Sequence, residues 1–238
     1  DTPSFFFINI PSDQDEAFGQ FPEDRGARDV RVRPMVRARM THINGKPIEQ
    51  IRFATPRARG FANRDQNITW TSELNRDNLI TAGKWFTPED VGKPLVSIAT
   101  EYQEELKLEI GDSLQFDIAG ETQTATVSSV RKVKWDSFQP NFFLIFAPGL
   151  LDGTQGTYMT AVHMNARNPR TIGDLVRTFP SVSVFNVDDL LGQVRSVIDK
   201  ALAAVQSVFM FTLMAGLVVL IAAVQASREE RRYESAML

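Results

Sequence analysis

"VFMFTLMAGLVVLIAAVQASREERRYESAML", residues 208–238, joins seventeen residues without a charge (208–224) to a tail crowded with charges. Thr212 is the one polar side chain in the apolar part. The charge-free window is longer still, running from Ala201 to Ser227 between Lys200 and Arg228. As a helix those residues rise about 40 Å, against about 30 Å for the hydrocarbon core of a bilayer. A core helix of a soluble protein keeps a polar face, and this stretch shows none for about five turns. It therefore reads as a membrane span over 208–225 rather than as a buried central helix.

The flanks orient the span. Arg228, Arg231 and Arg232 follow it closely, interleaved with Glu229, Glu230 and Glu234, whereas Arg195 and Lys200 before it are sparser. Topology follows basic residues and largely ignores acidic ones, so residues 226–238 are expected in the cytoplasm and residues 1 to about 200 outside it. Upstream, Leu191, Val194, Ile198, Ala201, Val205 and Val208 recur at alternating spacings of 3 and 4, an a/d seam. Asp188 or Asp189 can cap its start. One continuous helix from about Asp189 to about Tyr233 is the simplest expectation, with 188–207 a stalk. An ordinary amphipathic helix packed on its own domain is the alternative for that stretch.

Residues 1–187 carry the folded domain, with possible sublobes 1–94 and 95–187. A hydrophobic share of 43% and 17 phenylalanines suit a well-cored fold, and a net charge of −3 gives no pull toward nucleic acid or anionic lipid. The absence of cysteine excludes disulfides and thiolate metal sites. Ser4–Ile10 is strand-like, and 12–16 supply helix-start chemistry for a short helix to about Gln20. Val30–Ile43 alternates, with Val36, Ala38 and Met40 on one face and Met35, Arg37 and Arg39 on the other. Asn44-Gly45 then turns the chain. Residues 54–80 are polar and read as an excursion loop or small subdomain. Leu95–Ile98 is a short strand, "ATEYQEELKLEIGD" (99–112) a helix ending before Gly111, and "LQFDIAGETQTATVSSV" (114–130) a hairpin about Ala119–Glu121. Further strands are expected at 142–147, 158–164 and within "VSVFNV" (182–187), with a helix over about 170–178. Strands and helices mix without a βαβ cadence, so the fold class is α+β.

Sequence motifs for chemistry are sparse. His42 and His163 sit in strand-like contexts outside any metal-ligand spacing, and no nucleophile elbow, Walker A loop or dinucleotide fingerprint occurs. No catalytic, cofactor or metal residue is assigned. Six arginines crowd 25–39, yet residues 1–64 hold eleven basic and eight acidic side chains, which fits a solvated strand face better than a nucleic-acid site. One segment stands out. In 135–146, Trp135, Phe138, Phe142, Phe143 and Phe146 place five aromatics in twelve residues, punctuated by Pro140. They form either a core strand with a proline-fixed entrance or an apolar surface for the bilayer or a hydrophobic ligand.

"PSFFFINIPSDQDEAF" (3–18), "WDSFQPNFFLIFAPGLL" (135–151), "FPSVSVFNVDDLLGQVRSVIDKALAAV" (179–205) and the span with its "ASREERRYESAML" tail (226–238) together resemble a YbbP-like member of the FtsX/MacB permease superfamily. The resemblance covers essentially the whole chain. It implies the second extracytoplasmic domain of an ABC transporter permease, a MacB-like periplasmic domain on a long helix in the bacterial inner membrane. ATP hydrolysis would fall to a separate cytoplasmic ATPase, and the permease's remaining transmembrane helices would lie outside this chain. Rigid helices would carry ATPase closure to the periplasm, acting on hydrophobic or lipid-like molecules beside an esterase or lysophospholipase partner. Arg228, Glu229, Glu230, Arg231, Arg232 and Glu234 then become candidates for contacting the ATPase, the alternative being that they only set topology. A membrane-tethered binding or scaffold domain is the rival from another class. Both ends of the chain are expected to be cuts within a longer protein.

Overall fold

A computed structural model of the chain describes residues 5–23, 30, 32–137, 139–162 and 169–234. Two units divide it, Asp1–Val187 and Asp188–Leu238. Along the chain run β1 (Phe5–Pro11), α1 (Asp15–Glu23), β2 (Arg33–Ile43), β3 (Lys46–Pro47), α2 (Pro56–Asn63), β4 (Gln66–Trp70), β5 (Asn78–Gly83) and β6 (Leu95–Ala99). There follow α3 (Thr100–Leu106), β7 (Ser113–Ile118), β8 (Glu121–Val133), β9 (Leu144–Phe146), β10 (Thr157–Val162), α4 (Pro169–Thr178), β11 (Ser183–Asn186) and α5 (Val187–Glu234). The class is α+β.

Strand pairing in the first unit closes on itself. β2 pairs with β4, β4 with β9, β9 with β6, β6 with β8, β8 with β7, and β7 returns to β2. The result is a small barrel whose interior is filled by alternating residues, Val36, Ala38 and Met40 from β2 against Ile68, Ile98, Leu114, Phe116, Val127 and Phe146. Each of the larger side chains among them contributes up to about 1.5–3 kcal/mol relative to exposure. Two tight turns fix the register. Asn44 and Gly45 both take positive φ between β2 and β3, as a type I′ turn requires, and Ala119 and Gly120 do the same between β7 and β8. At the second turn the Asp117 carboxylate accepts from Gly120 N–H at 3.0 Å, which helps hold Ala119 left-handed.

Beside the barrel, β1 lies between β10 and β11, and β10 also pairs with β2. Helices α1 and α4 supply Phe18 and Leu175 to a second core, where Phe7, Phe18 and Phe179 meet edge to face. Both lobes draw strands from either side of residue 94: β2 and β4 share the barrel with β6–β9, and β1 shares the smaller sheet with β10 and β11. The middle of the first unit makes one lobe, and segments near that unit's two ends make the other.

Two expectations are corrected. Residues 54–80 are no excursion: α2 buries Ala58, Phe61 and Ala62, β4 is a barrel strand, and β5 pairs with β8. Polar composition hid this because α2 exposes its arginines and buries only small and aromatic residues. Helix α3 stops at Leu106 rather than near Gly111, because Lys107 takes a left-handed conformation (φ 56°) and ends it.

The second unit is helical. Helix α5 runs 48 residues without interruption, about 72 Å, and its stretch Arg195–Ala223 is long and apolar enough to cross a membrane. Consecutive side chains round its circumference are exposed, from Val208 at 66% through Phe211 at 74% to Ile221 at 50%. Two hydroxyls inside the stretch are satisfied locally: those of Ser207 and Thr212 donate to the carbonyls of Ala203 and Val208, each at 2.8 Å. That is the arrangement a hydrocarbon solvent demands.

Candidate functional site

The aromatic segment divides between core and surface. Phe142 packs with Phe86, Ile145 and Ala147, and Phe146 meets Phe116 edge to face at 5.3 Å inside the barrel. Both are buried, so the surface reading is corrected for these two residues. Phe138 lies outside the described residues. Trp135, 42% exposed, and the half-buried Phe143 remain at the surface with ring centroids 4.5 Å apart. Phe143 also meets Phe61 at 5.5 Å and Tyr102 at 5.7 Å, and the Arg64 guanidinium sits 4.4 Å from the Phe61 ring and 5.0 Å from Phe143. The Arg64 cation, beside two rings that meet edge to face, is held partly by their quadrupoles.

Sequence reasoning missed the residues beneath this patch. Arg131, on β8, is fully buried and donates Nη2 to the Phe142 carbonyl at 2.6 Å. Burial pushes its pKa down to about 9 against the nearby Glu101 charge, which acts upward; at neutral pH it stays cationic. Glu101 accepts the Trp135 indole N–H at 2.6 Å. An open groove of about 570 Å³, lined by Asp77, Leu79 and residues 132–136, adjoins Trp135; its two aspartates and two lysines cancel, leaving Leu79, Val133 and Trp135 as apolar contacts. Nothing in the sequence flagged Arg131, because an arginine on an alternating strand reads as solvated.

The other candidates are placed as follows. Ile198, Ala201, Val205 and Val208 of the seam are exposed on α5; the side chains of Leu191 and Val194 lie outside the described residues, as do those of Arg228, Glu229, Glu230, Arg231, Arg232 and Glu234, whose backbone continues the helix. His42 is half-buried with Nδ1 3.1 Å from the Thr41 hydroxyl, and His163 lies outside the described residues. Among the described residues no cluster of three or more metal-ligating side chains occurs. The arginine stretch is not uniformly solvated. Arg37 and Arg39 are exposed, but Arg33 is 6% exposed and donates to Thr71 Oγ1 and Asn75 Oδ1, each at 2.9 Å.

Comparison with known proteins bears on the whole chain, barrel and long helix together. It is 31% identical over 236 residues, 98% of its length, to the protein of Escherichia coli (strain K12) described as "Uncharacterized ABC transporter permease YbbP". This chain is a relative of the ABC transporter permease YbbP. It spans 28% of that protein's length. No family model matches. A domain of a Porphyromonas gingivalis protein described as a permease superposes with a TM-score of 0.38 at 6% identity, covering 77% of this chain and 91% of that one. A fit that loose carries neither fold nor function.

Proposed function

We propose that this chain is part of the membrane subunit of a mechanotransmitting ABC transporter of the FtsX/MacB type. In this reading 1–187 is the periplasmic domain, 188–207 the stalk, 208–225 the inner-membrane span, and 226–238 the cytoplasmic start of the coupling region. The subunit is not itself an enzyme; a separate cytoplasmic ATPase hydrolyses ATP, and further transmembrane helices of the permease complete the bundle. The observation that carries the reading is the identity to YbbP, which runs through domain and span alike. Supporting it, α5 is one uninterrupted helix, and a hydrogen-bonded helix changes length little under load. Displacement at the charged tail would therefore reach the residues before Arg195 with little loss. Work on hydrophobic or lipid-like molecules at the periplasmic face, beside an esterase or lysophospholipase, suits the apolar contacts at Trp135 and Phe143.

Topology and partnership test the reading. In the full-length permease on a cysteine-free background, single cysteines at Thr81 and Ser235 should label from opposite sides of the inner membrane, Thr81 from the periplasm. Reversing Arg231 and Arg232 to glutamate should weaken co-purification with the ATPase. A periplasmic Ser235 would overturn the orientation, and an isolated anchor with no associated ATPase would favour a tethered binding domain instead.

A further inference from the structure

Among the described residues, the strand pairing that joins the smaller lobe to the barrel is that of β10 with β2. It pairs Met35 with Thr157, Pro34 with Tyr158 and Arg33 with Met159, and goes no further. Pro34, in the middle, has no N–H to give to either neighbouring strand. Met35 and Met159, one from each strand, pack on the cluster of Phe86, Phe142, Ile145 and Ala147. So short a ladder braces two lobes poorly by itself and is placed to act as a hinge.

Arg33 stands at the outer end of this ladder, and its buried guanidinium reaches across to the barrel side. Nη1 donates to Thr71 Oγ1 and Nη2 to Asn75 Oδ1, each at 2.9 Å, with the Glu73 carboxylate 3.7 Å from Nη2. Both acceptors belong to the loop that follows barrel strand β4. Asn75 extends the grip, because its amide nitrogen donates to the Pro140 carbonyl at 2.8 Å and to Asn141 Oδ1 at 3.0 Å. One planar cation therefore ties the start of β2 to the loop after β4 and, through Asn75, to the entry of β9. Hydrogen bonds from a charged donor are the stronger kind, and the fixed fork of a guanidinium sets direction as well as distance.

We infer that Arg33 is a latch across a hinge: its hold on Thr71 and Asn75 locks the smaller lobe to the barrel, so that the two move as one rigid body. Because β11 ends at Asn186 and α5 begins at Val187, a load carried by α5 enters the smaller lobe first and crosses this joint to reach the barrel. That consequence rests on the transporter reading; the latch does not.

The chain has no cysteine, so spin labels can be placed at Glu121→Cys on the barrel and Arg177→Cys on α4 of the smaller lobe, both exposed, in the whole chain in detergent micelles. Electron–electron resonance should give one narrow distance distribution with Arg33 present and a broad one in Arg33→Met. Amides of Met35 and Thr157 should then exchange about tenfold faster or more, the loss expected for hydrogen bonds to a charged group, while those of β7 and β8 keep their protection. Arg33→Lys, which keeps the charge but lacks the fork and is the milder change if Arg33→Met fails to fold, should broaden the distribution less. The latch is overturned if the distribution stays narrow in both variants. It is equally overturned if β7 and β8 lose protection along with the joint in both, which would make Arg33 a general core residue.

Discussion

Phe61 and Tyr102 are joined twice: their rings meet edge to face at 5.3 Å, and the Tyr102 hydroxyl donates to the Phe61 carbonyl at 3.3 Å. This double contact pins α2 to α3 at the rim of the barrel core. Gln66 Nε2 donates to the same carbonyl at 3.4 Å, so losing the hydroxyl does not orphan it. Tyr102→Phe should therefore cost only about 1 kcal/mol, whereas Phe61→Ala, which empties the ring site, should cost about 3–5 kcal/mol. Denaturant midpoints of the two variants check the ordering, and equal losses would refute it.

The same tyrosine predicts an alkaline limit. Burial raises the phenol's pKa above its ordinary value of 10, against the opposing pull of the Arg64 charge. A raised pKa means the folded state keeps the proton that the unfolded chain releases. The stabilisation is intact below pH 10 and falls as pH rises beyond it. Tyr102→Phe should flatten the loss of stability between pH 10 and 11.5; an unchanged slope would show that other groups control it.

Asp90 predicts an acid limit of opposite sign. Its carboxylate accepts from the Thr87 backbone and hydroxyl and from Lys93, and these bonds hold its pKa at about 2 against 3.8. Its contribution is complete above pH 3.8 and disappears as pH falls toward 2. Asp90→Asn should remove that pH dependence and speed amide exchange across 87–93 at pH 5. Exchange that stays at the wild-type rate would mean the capping box does not order this turn.

Gly83 should tolerate no side chain. Its φ is +74°, and a Cβ there would lie 2.2 Å from the Ser128 carbonyl oxygen, a backbone atom that β8 holds in place. Gly83→Ala is expected to cost about 2 kcal/mol or more. By contrast Gly173, mid-helix in α4 with no atom near its missing Cβ, should gain about 0.5–1 kcal/mol on change to alanine. Thermal unfolding of both variants decides; a stable Gly83→Ala would mean β5 can shift along β8.

Ala203 tests the rod. Proline there removes one helical hydrogen bond and collides with the preceding turn, at a cost of about 3 kcal/mol, and should kink α5. In the full-length permease with its ATPase, Ala203→Pro should abolish permease-dependent stimulation of ATP hydrolysis while amide protection of β2 and β8 persists. Retained stimulation would count against mechanical coupling through this helix.

Much of the architecture was legible because it is written locally. A charge-free window between Lys200 and Arg228 defines an apolar helix by length alone, and the 3–4 spacing upstream extends it, so α5 was readable from end to end. Alternation exposed β2, and Asn44-Gly45 and Ala119-Gly120 marked their turns because those positions need positive φ. What the sequence could not contain is which strands meet. Barrel closure through β7 and β2, and the pairing of β1 with β10 and β11, join residues more than seventy positions apart, and no local pattern encodes such partners. The polar stretch 54–80 became barrel wall only because β4 found β2 and β9. Likewise Arg131, an ordinary strand residue by pattern, became a buried cation where the chain returns at Phe142 and places a carbonyl against it. Sequence by itself determined the long apolar helix, the strand alternation and the tight turns, since these follow from nearest-neighbour backbone and solvent physics. Tertiary structure alone decided which aromatics are core and which face outward, since burial belongs to surfaces that meet in space.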